Sequence, residues 1–257
     1  MKEIREFSPR FTARVAGALY LISGTAFTFG ENTVRGKLIV AGDAAATVAQ
    51  IVAHEVEYRR GLGADLVASA LYVVVTVLLY FLLKPVNRIV ALLAMVMSLI
   101  GCVLGLVAFI FHIAPLELLK SGPSWDALAS GQGRGLGQDL TMLSLRLGEE
   151  TTDLSMVFFG FFCALIGYLI FQSTFMPRIL GILMMLSGSC YLADFFTHFA
   201  APAVAAHLMP YLMWQGIPGE GSLILWLLAI GVNPDKWRVK ARAASATNPA
   251  AAQFAAR

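Results

Sequence analysis

Asp194 and His198 stand four residues apart in the run Tyr191-Leu-Ala-Asp-Phe-Phe-Thr-His198, at the far end of an apolar stretch that begins after Pro177. A helix stacks residues at that spacing on one face. A carboxylate and an imidazole at membrane depth are costly unless they pair, bind something or meet water. Asp194 is also at the wrong end of its helix, because a C-terminal carboxylate opposes the helix dipole. It needs a partner, and His198 is the nearest. Asp65, Asp153, His112 and Glu31 also end apolar stretches, and with Asp194 and His198 they make up a candidate pocket.

Three kinds of chemistry fit these residue types. Acids and imidazoles facing outward can bind or pass a small polar molecule or a cation. His112, His198 and Asp194, with Asp65 or Asp153, also have the ligand types of a zinc hydrolase that keeps a bound water. That reading, a membrane-embedded metal-dependent hydrolase with a divalent metal, lacks an HExxH or similar local motif. A haem held between His112 and His198 is a third and weaker match. Against all three stands a plain structural reading, since charges at helix ends snorkel to nearby water at little cost. A non-catalytic accessory role is its functional counterpart.

Other motifs are absent or bland. There is no G-x-S-x-G elbow for serine catalysis. Gly131-Gln-Gly-Arg-Gly-Leu-Gly137 has neither a Lys-Ser/Thr ending nor a preceding strand, so it is a loop and not a phosphate cradle. Cys102, Cys163 and Cys190 each fall inside an apolar stretch without CxxC spacing, as packing residues do. Gly101-x-x-x-Gly105 and the Gly181, Gly188 pair read as close helix packing.

The elements that must position these groups follow from composition. Of 257 residues 58% are hydrophobic and only 14% charged, against about 25% charged in a soluble protein. The apolar residues gather in runs of about 20, the length that crosses a bilayer. The chain is therefore expected to be an all-α integral membrane protein. The net charge of +3 lies largely in loops and the tail, which speaks of topology and of no nucleic-acid partner.

Six spans are expected. The first, Val15 to Gly30, is closed by Glu31; Ser8-Pro9 caps it. A loop over 32–61 holds a short surface helix over 44–58, started by Asp43. The second span, Leu62 to Leu83, makes a tight hairpin with the third, Val86 to Ala114, which Pro115 ends. After a Gly/Ser-rich loop, Leu136, Leu140, Leu143 and Leu147 recur at helical spacing, as an interfacial helix or an extension of the fourth span, Thr151 to Ser173. The fifth runs from Pro177 to Phe199. Residues 200–217, interrupted by prolines, read as a re-entrant or surface segment before a short sixth span, Gly219 to Val232. Residues 1–235 form the transmembrane domain, and 236–257 a disordered, basic, Ala-rich tail.

The run Val34-Arg-Gly…Leu-Ile-Val…Gly-Asp-Ala-Ala-Ala-Thr47 resembles the hallmark of bacterial multi-pass membrane proteins grouped as domain-of-unknown-function family four-three-eight-six. Gly63-Ala-Asp65-Leu, Leu83-Lys-Pro-Val-Asn-Arg88 and Gly167-Tyr-Leu-Ile-Phe-Gln-Ser173…Pro-Arg-Ile-Leu-Gly181 also match, over roughly residues 12–235. Ala41 stands where the family usually has proline. The resemblance implies a bacterial six-helix membrane protein and no particular activity.

With the N-terminus inside, inner segments hold 12 Lys and Arg and outer loops 7, so both termini are expected in the cytoplasm of a bacterial inner-membrane protein. Counting outward at 1.5 Å per residue puts Asp65, Asp153, Asp194 and Glu31 near the outer boundary, with His112 and His198 at or above it. Glu220 is placed on the outer side as well. A weak repeat accompanies this layout: Asp65 precedes Tyr80, and Asp153 precedes Tyr168, by the same fifteen residues.

Overall fold

The computed structural model describes residues 8–120, 134–201, 204 and 216–246. Apart from the connecting turns those residues are helical, with two π-helical stretches and no strand among them. The helices are α1 (Pro9–Thr28), α2 (Gly36–Leu38), α3 (Ala44–Ala53), α4 (Glu55–Leu83), α5 (Arg88–Lys120), α6 (Arg134–Gln172), α7 (Arg178–Ala200), α8 (Ser222–Ala229) and α9 (Pro234–Ala246). The π-helical stretches are Phe29–Arg35 and Ile217–Gly221. Four helical segments are long and apolar enough to cross a membrane: Glu55–Leu83, Arg88–Leu118, Gly137–Gln172 and Arg178–Ala200. The expected first and sixth spans are helical but fall outside that set. The segment expected to be re-entrant and the loop before α6 lie largely outside the described residues.

Several boundaries differ from the sequence expectation, each for a physical reason. The first helix does not close at Glu31. It runs on through the π-helical stretch into α2, because Val34 packs on Gly61 and Arg35 finds two carboxylates there. The surface helix stops at Ala53, and residues 55–58 belong to α4. Its start is as expected, with the Asp43 side chain accepting from Ala46 N at 2.9 Å.

Pro115 does not end the third span; it sits inside α5. Proline removes the N–H that would bond the carbonyl four residues back. That carbonyl, Phe111 O, accepts instead from Ser144 Oγ at 2.6 Å. The next one, His112 O, accepts from Tyr58 Oη at 2.6 Å. Two hydroxyls from other helices thus carry α5 past the proline.

The fourth span is the far end of α6, whose 39 residues begin at Arg134. The leucine stripe is part of this one helix; Leu140, Leu143 and Leu147 are exposed, while Thr141, Ser144 and Leu145 face inward. The tail expected to be disordered from Lys236 is helical as far as Ala246. Asn233 Oδ1 caps it by accepting from Asp235 N and Lys236 N at 3.1 Å each, and Trp237 Nε1 donates to Leu82 O at 2.8 Å. Alanine, lysine and arginine supply the helix propensity.

The chain divides into two compact units. One comprises 1–21, 73–101 and 156–257. Here α6 and α7 pack backbone on backbone through glycines. A Cβ on Gly167 would lie 2.6 Å from Gly181 O, and one on Gly188 would lie 2.5 Å from Gly160 O. The seven-residue spacing within each pair, Gly160 to Gly167 and Gly181 to Gly188, keeps both on one seam of an antiparallel crossing. In the hairpin of α4 and α5, Thr76 Oγ1 and Ser98 Oγ share a buried hydrogen bond of 2.6 Å.

The other unit comprises 22–72 and 102–155. Its core is Val34, Leu38, Ile51, Tyr58, Leu62, Leu116 and Leu145. Thr47, fully buried, ties the loop before α3 by receiving Val40 N at 3.0 Å and donating to Asp43 O at 2.8 Å. Gly42 makes that loop's turn at φ +78°, where a side chain would be strained.

Candidate functional site

Arg35 is the centre of the second unit's polar site. The π-helical stretch places Glu31 and Arg35 on one face, and α4 brings Asp65 to the other side of the guanidinium. Arg35 Nη1 donates to Asp65 Oδ2 and Nη2 to Glu31 Oε2. The arginine is 4% exposed, so its charge survives burial only because both acids are present. Burial works against the charge, but Glu31 first and then Asp65 outweigh it and hold the pKa above arginine's ordinary range.

Room for this arrangement comes from glycine. A methyl on Gly30 would overlap Asp65 Oδ1, and a Cβ on Gly61 would meet Val34 at 2.9 Å. His112, on α5, is equally buried at 4%. Its ring lies against Gly148 of α6, where a Cβ would stand 2.5 Å from Nε2. It is within electrostatic reach of Arg35 and Glu31, as is Tyr58.

Three buried atoms of this centre lack a hydrogen-bond partner: Arg35 Nε, Asp65 Oδ1 and His112 Nε2. They are a donor, an acceptor and a nitrogen that serves as either. Glu31 is the more open side, with its side chain 34% exposed against 16% for Asp65. Chemically, one guanidinium between two carboxylates carries a net negative charge when both are ionised, a setting that attracts a small cation or a hydrogen-bonding molecule.

Of the six residues singled out in the sequence, Glu31, Asp65 and His112 thus lie in the Arg35 neighbourhood. Asp153, exposed on α6, does not share the setting of Asp65 despite the matching spacing to a tyrosine. On α7 His198 Nδ1 lies 3.4 Å from Asp194 Oδ1 and 3.1 Å from Asp194 O, and among the described residues Asp194 Oδ1 has no hydrogen-bond partner. They belong to the other unit. Among the described residues no three His, Cys, Asp or Glu side chains gather as a metal site.

Arg35 itself was not singled out as a site residue. From the sequence it reads as a loop charge, and nothing in the local pattern announces its pairing with an acid thirty positions away. Its place in the Val34-Arg-Gly run is the one available signal. Glu220, held by two tyrosines, reads from the sequence only as an acid on the outer side.

Residues 15–231 match the family described as Domain of unknown function (DUF4386). The chain belongs to that family. Val34, Arg35 and Thr47 of its hallmark run are all buried in the unit just described. An uncharacterized protein of Archaeoglobus fulgidus is 30% identical over 159 residues, covering 62% of this chain and 76% of the relative. No solved structure matches.

Proposed function

We propose that this DUF4386 protein is a multi-pass protein of the bacterial inner membrane that binds or passes a small polar molecule or cation at an outward-facing centre built on Arg35. Glu31, Asp65 and His112 line that centre. The chain crosses the membrane six times, with a re-entrant or surface segment before the sixth span. Asp194, His198 and Asp153 are assigned to the outer face as well. Both termini lie in the cytoplasm.

The observation that carries this reading is the trio of buried, unpartnered atoms, Arg35 Nε, Asp65 Oδ1 and His112 Nε2. Buried polar groups are ordinarily hydrogen-bonded, and an exception calls for a ligand, a water or an ion. A small molecule that both donates and accepts matches the chemistry of these atoms. A purely structural ion pair accounts for Arg35 with its two acids but leaves these atoms unexplained.

Thermal unfolding of the detergent-solubilised full chain tests this. Na⁺, Mg²⁺, methylammonium and acetamide, the last of which both donates and accepts, are compared at fixed ionic strength. Ligand binding to the native state raises Tm, so at least one probe should stabilise the native protein and lose its effect in Asp65→Asn. No shift with any probe, or an equal shift in Asp65→Asn and His112→Gln, contradicts the proposal.

A further inference from the structure

The other unit holds a carboxylate in a different kind of setting. Glu220 sits on the π-helical stretch Ile217–Gly221. Tyr20 Oη, from α1, donates to its Oε2, and Tyr191 Oη, from α7, donates to its Oε1 at 2.6 Å. The thiol of Cys163 on α6, fully buried, turns to the same carboxylate. Gly219 lets this stretch touch α7 directly, since a Cβ there would lie 2.7 Å from Leu183 O. Among the described residues neither oxygen of Glu220 meets a lysine or arginine.

Its depth follows from one end of this unit. Arg10 Nε donates to Ile230 O and Arg14 Nη2 to Ala229 O, each at 3.2 Å, and Asn233 N donates to Phe175 O at 3.2 Å. Arg178 opens α7 directly after Pro177, three residues on from Phe175. Glu220 is ten residues from Ile230, about 15 Å along a helix, which is half of an approximately 30 Å hydrocarbon core. That is deeper than the outer side, where the sequence places it. An ionisable residue at that depth marks a functional site and has a partner that can be named. Here the partners are hydrogen-bond donors, which stabilise a carboxylate without a cation. Donors are not the ligand set of a metal ion, which needs lone pairs directed at it.

We infer that Glu220 is a proton-exchange site at mid-depth in the membrane, with Tyr20 and Tyr191 bound to it in both charge states. In the ionised state both phenols donate. When a proton arrives from water, one carboxyl oxygen becomes an O–H, and the phenol facing it rotates to accept. The proton returns to water by the reverse step, and no other bond changes. The titratable groups facing the site are Tyr20 from α1, Cys163 from α6, and Tyr191 from α7, with Cys190 beside Tyr191. The π-helical turn agrees with such a role, since π-bulges recur at functional sites. This site does not depend on the Arg35 centre.

The test is pH-difference infrared spectroscopy of the full chain in lipid nanodiscs. One carboxylic-acid C=O component should rise and fall with pH in the native protein, on top of the signal of the other Asp and Glu, and be missing in Glu220→Gln, whose amide keeps an acceptor for one tyrosine. Tyr191→Phe, which keeps the carboxyl and removes one donor, should move the midpoint of that component. A native spectrum without that component, a component unchanged in Glu220→Gln, or a midpoint unmoved in both Tyr191→Phe and Tyr20→Phe overturns the inference. Should Glu220→Gln fail to fold, the two tyrosine variants decide it.

Discussion

At the scale of single residues, Arg35 anchors the polar centre of its unit. It is buried between two acids, and removing one member of a buried charge cluster leaves the others desolvated and unpaired. Arg35→Met should therefore lower stability by about 3–5 kcal/mol, measured as a loss of denaturant or thermal resistance in detergent. A change within about 0.5 kcal/mol would show that water already satisfies Glu31 and Asp65. How far the residues could be read from the sequence depended on distance along the chain. Asp194 and His198 were legible as a pair because a helix brings neighbours four apart together. Arg35 and Asp65 were not, since no periodicity links a loop arginine to an acid on the next helix. His112 was seen as a polar group near a helix end, but its burial against Gly148 depends on α6, which the local pattern cannot place.

At the scale of elements, hydroxyl groups and glycines determine where helices continue and how closely they approach. Ser144 substitutes for the hydrogen bond that Pro115 cannot make to Phe111 O. Ser144→Ala alone should cost about 1 kcal/mol, because it leaves a part-buried carbonyl without its donor. In a Pro115→Ala background, where residue 115 regains its N–H, the same change should cost little. Equal costs in the two backgrounds would separate the serine from the proline. The glycines divide in the same way. Gly167→Ala should destabilise by about 1–3 kcal/mol through overpacking, since its Cβ would enter Gly181's carbonyl. Gly24→Ala and Gly105→Ala, with nothing within 4 Å of the added carbon, should be neutral or stabilising by up to about 1 kcal/mol. A uniform response across the three would contradict the seam. Sequence rules treat a proline as a helix stop because they are local. The donor that overrules it comes from residue 144, on another helix.

At the scale of the whole molecule, the sequence supported a membrane protein through the length of its apolar runs, and four helices have the length and hydropathy to cross a bilayer. The first and sixth spans fall outside that set, because α1 takes in Arg14 and α8 is only eight residues long after the π-helical stretch Ile217–Gly221. The proposed topology has the Arg35 centre opening away from the cytoplasm and α9 lying within it. Thiol labelling of intact cells tests this most directly. In a background with Cys102, Cys163 and Cys190 replaced by alanine, one protein carries Asn32→Cys, an exposed position beside Glu31, and another carries Arg242→Cys, exposed on α9. A membrane-impermeant maleimide should label position 32 in intact cells and position 242 only after permeabilisation; labelling of 242 but not 32 in intact cells would contradict the account.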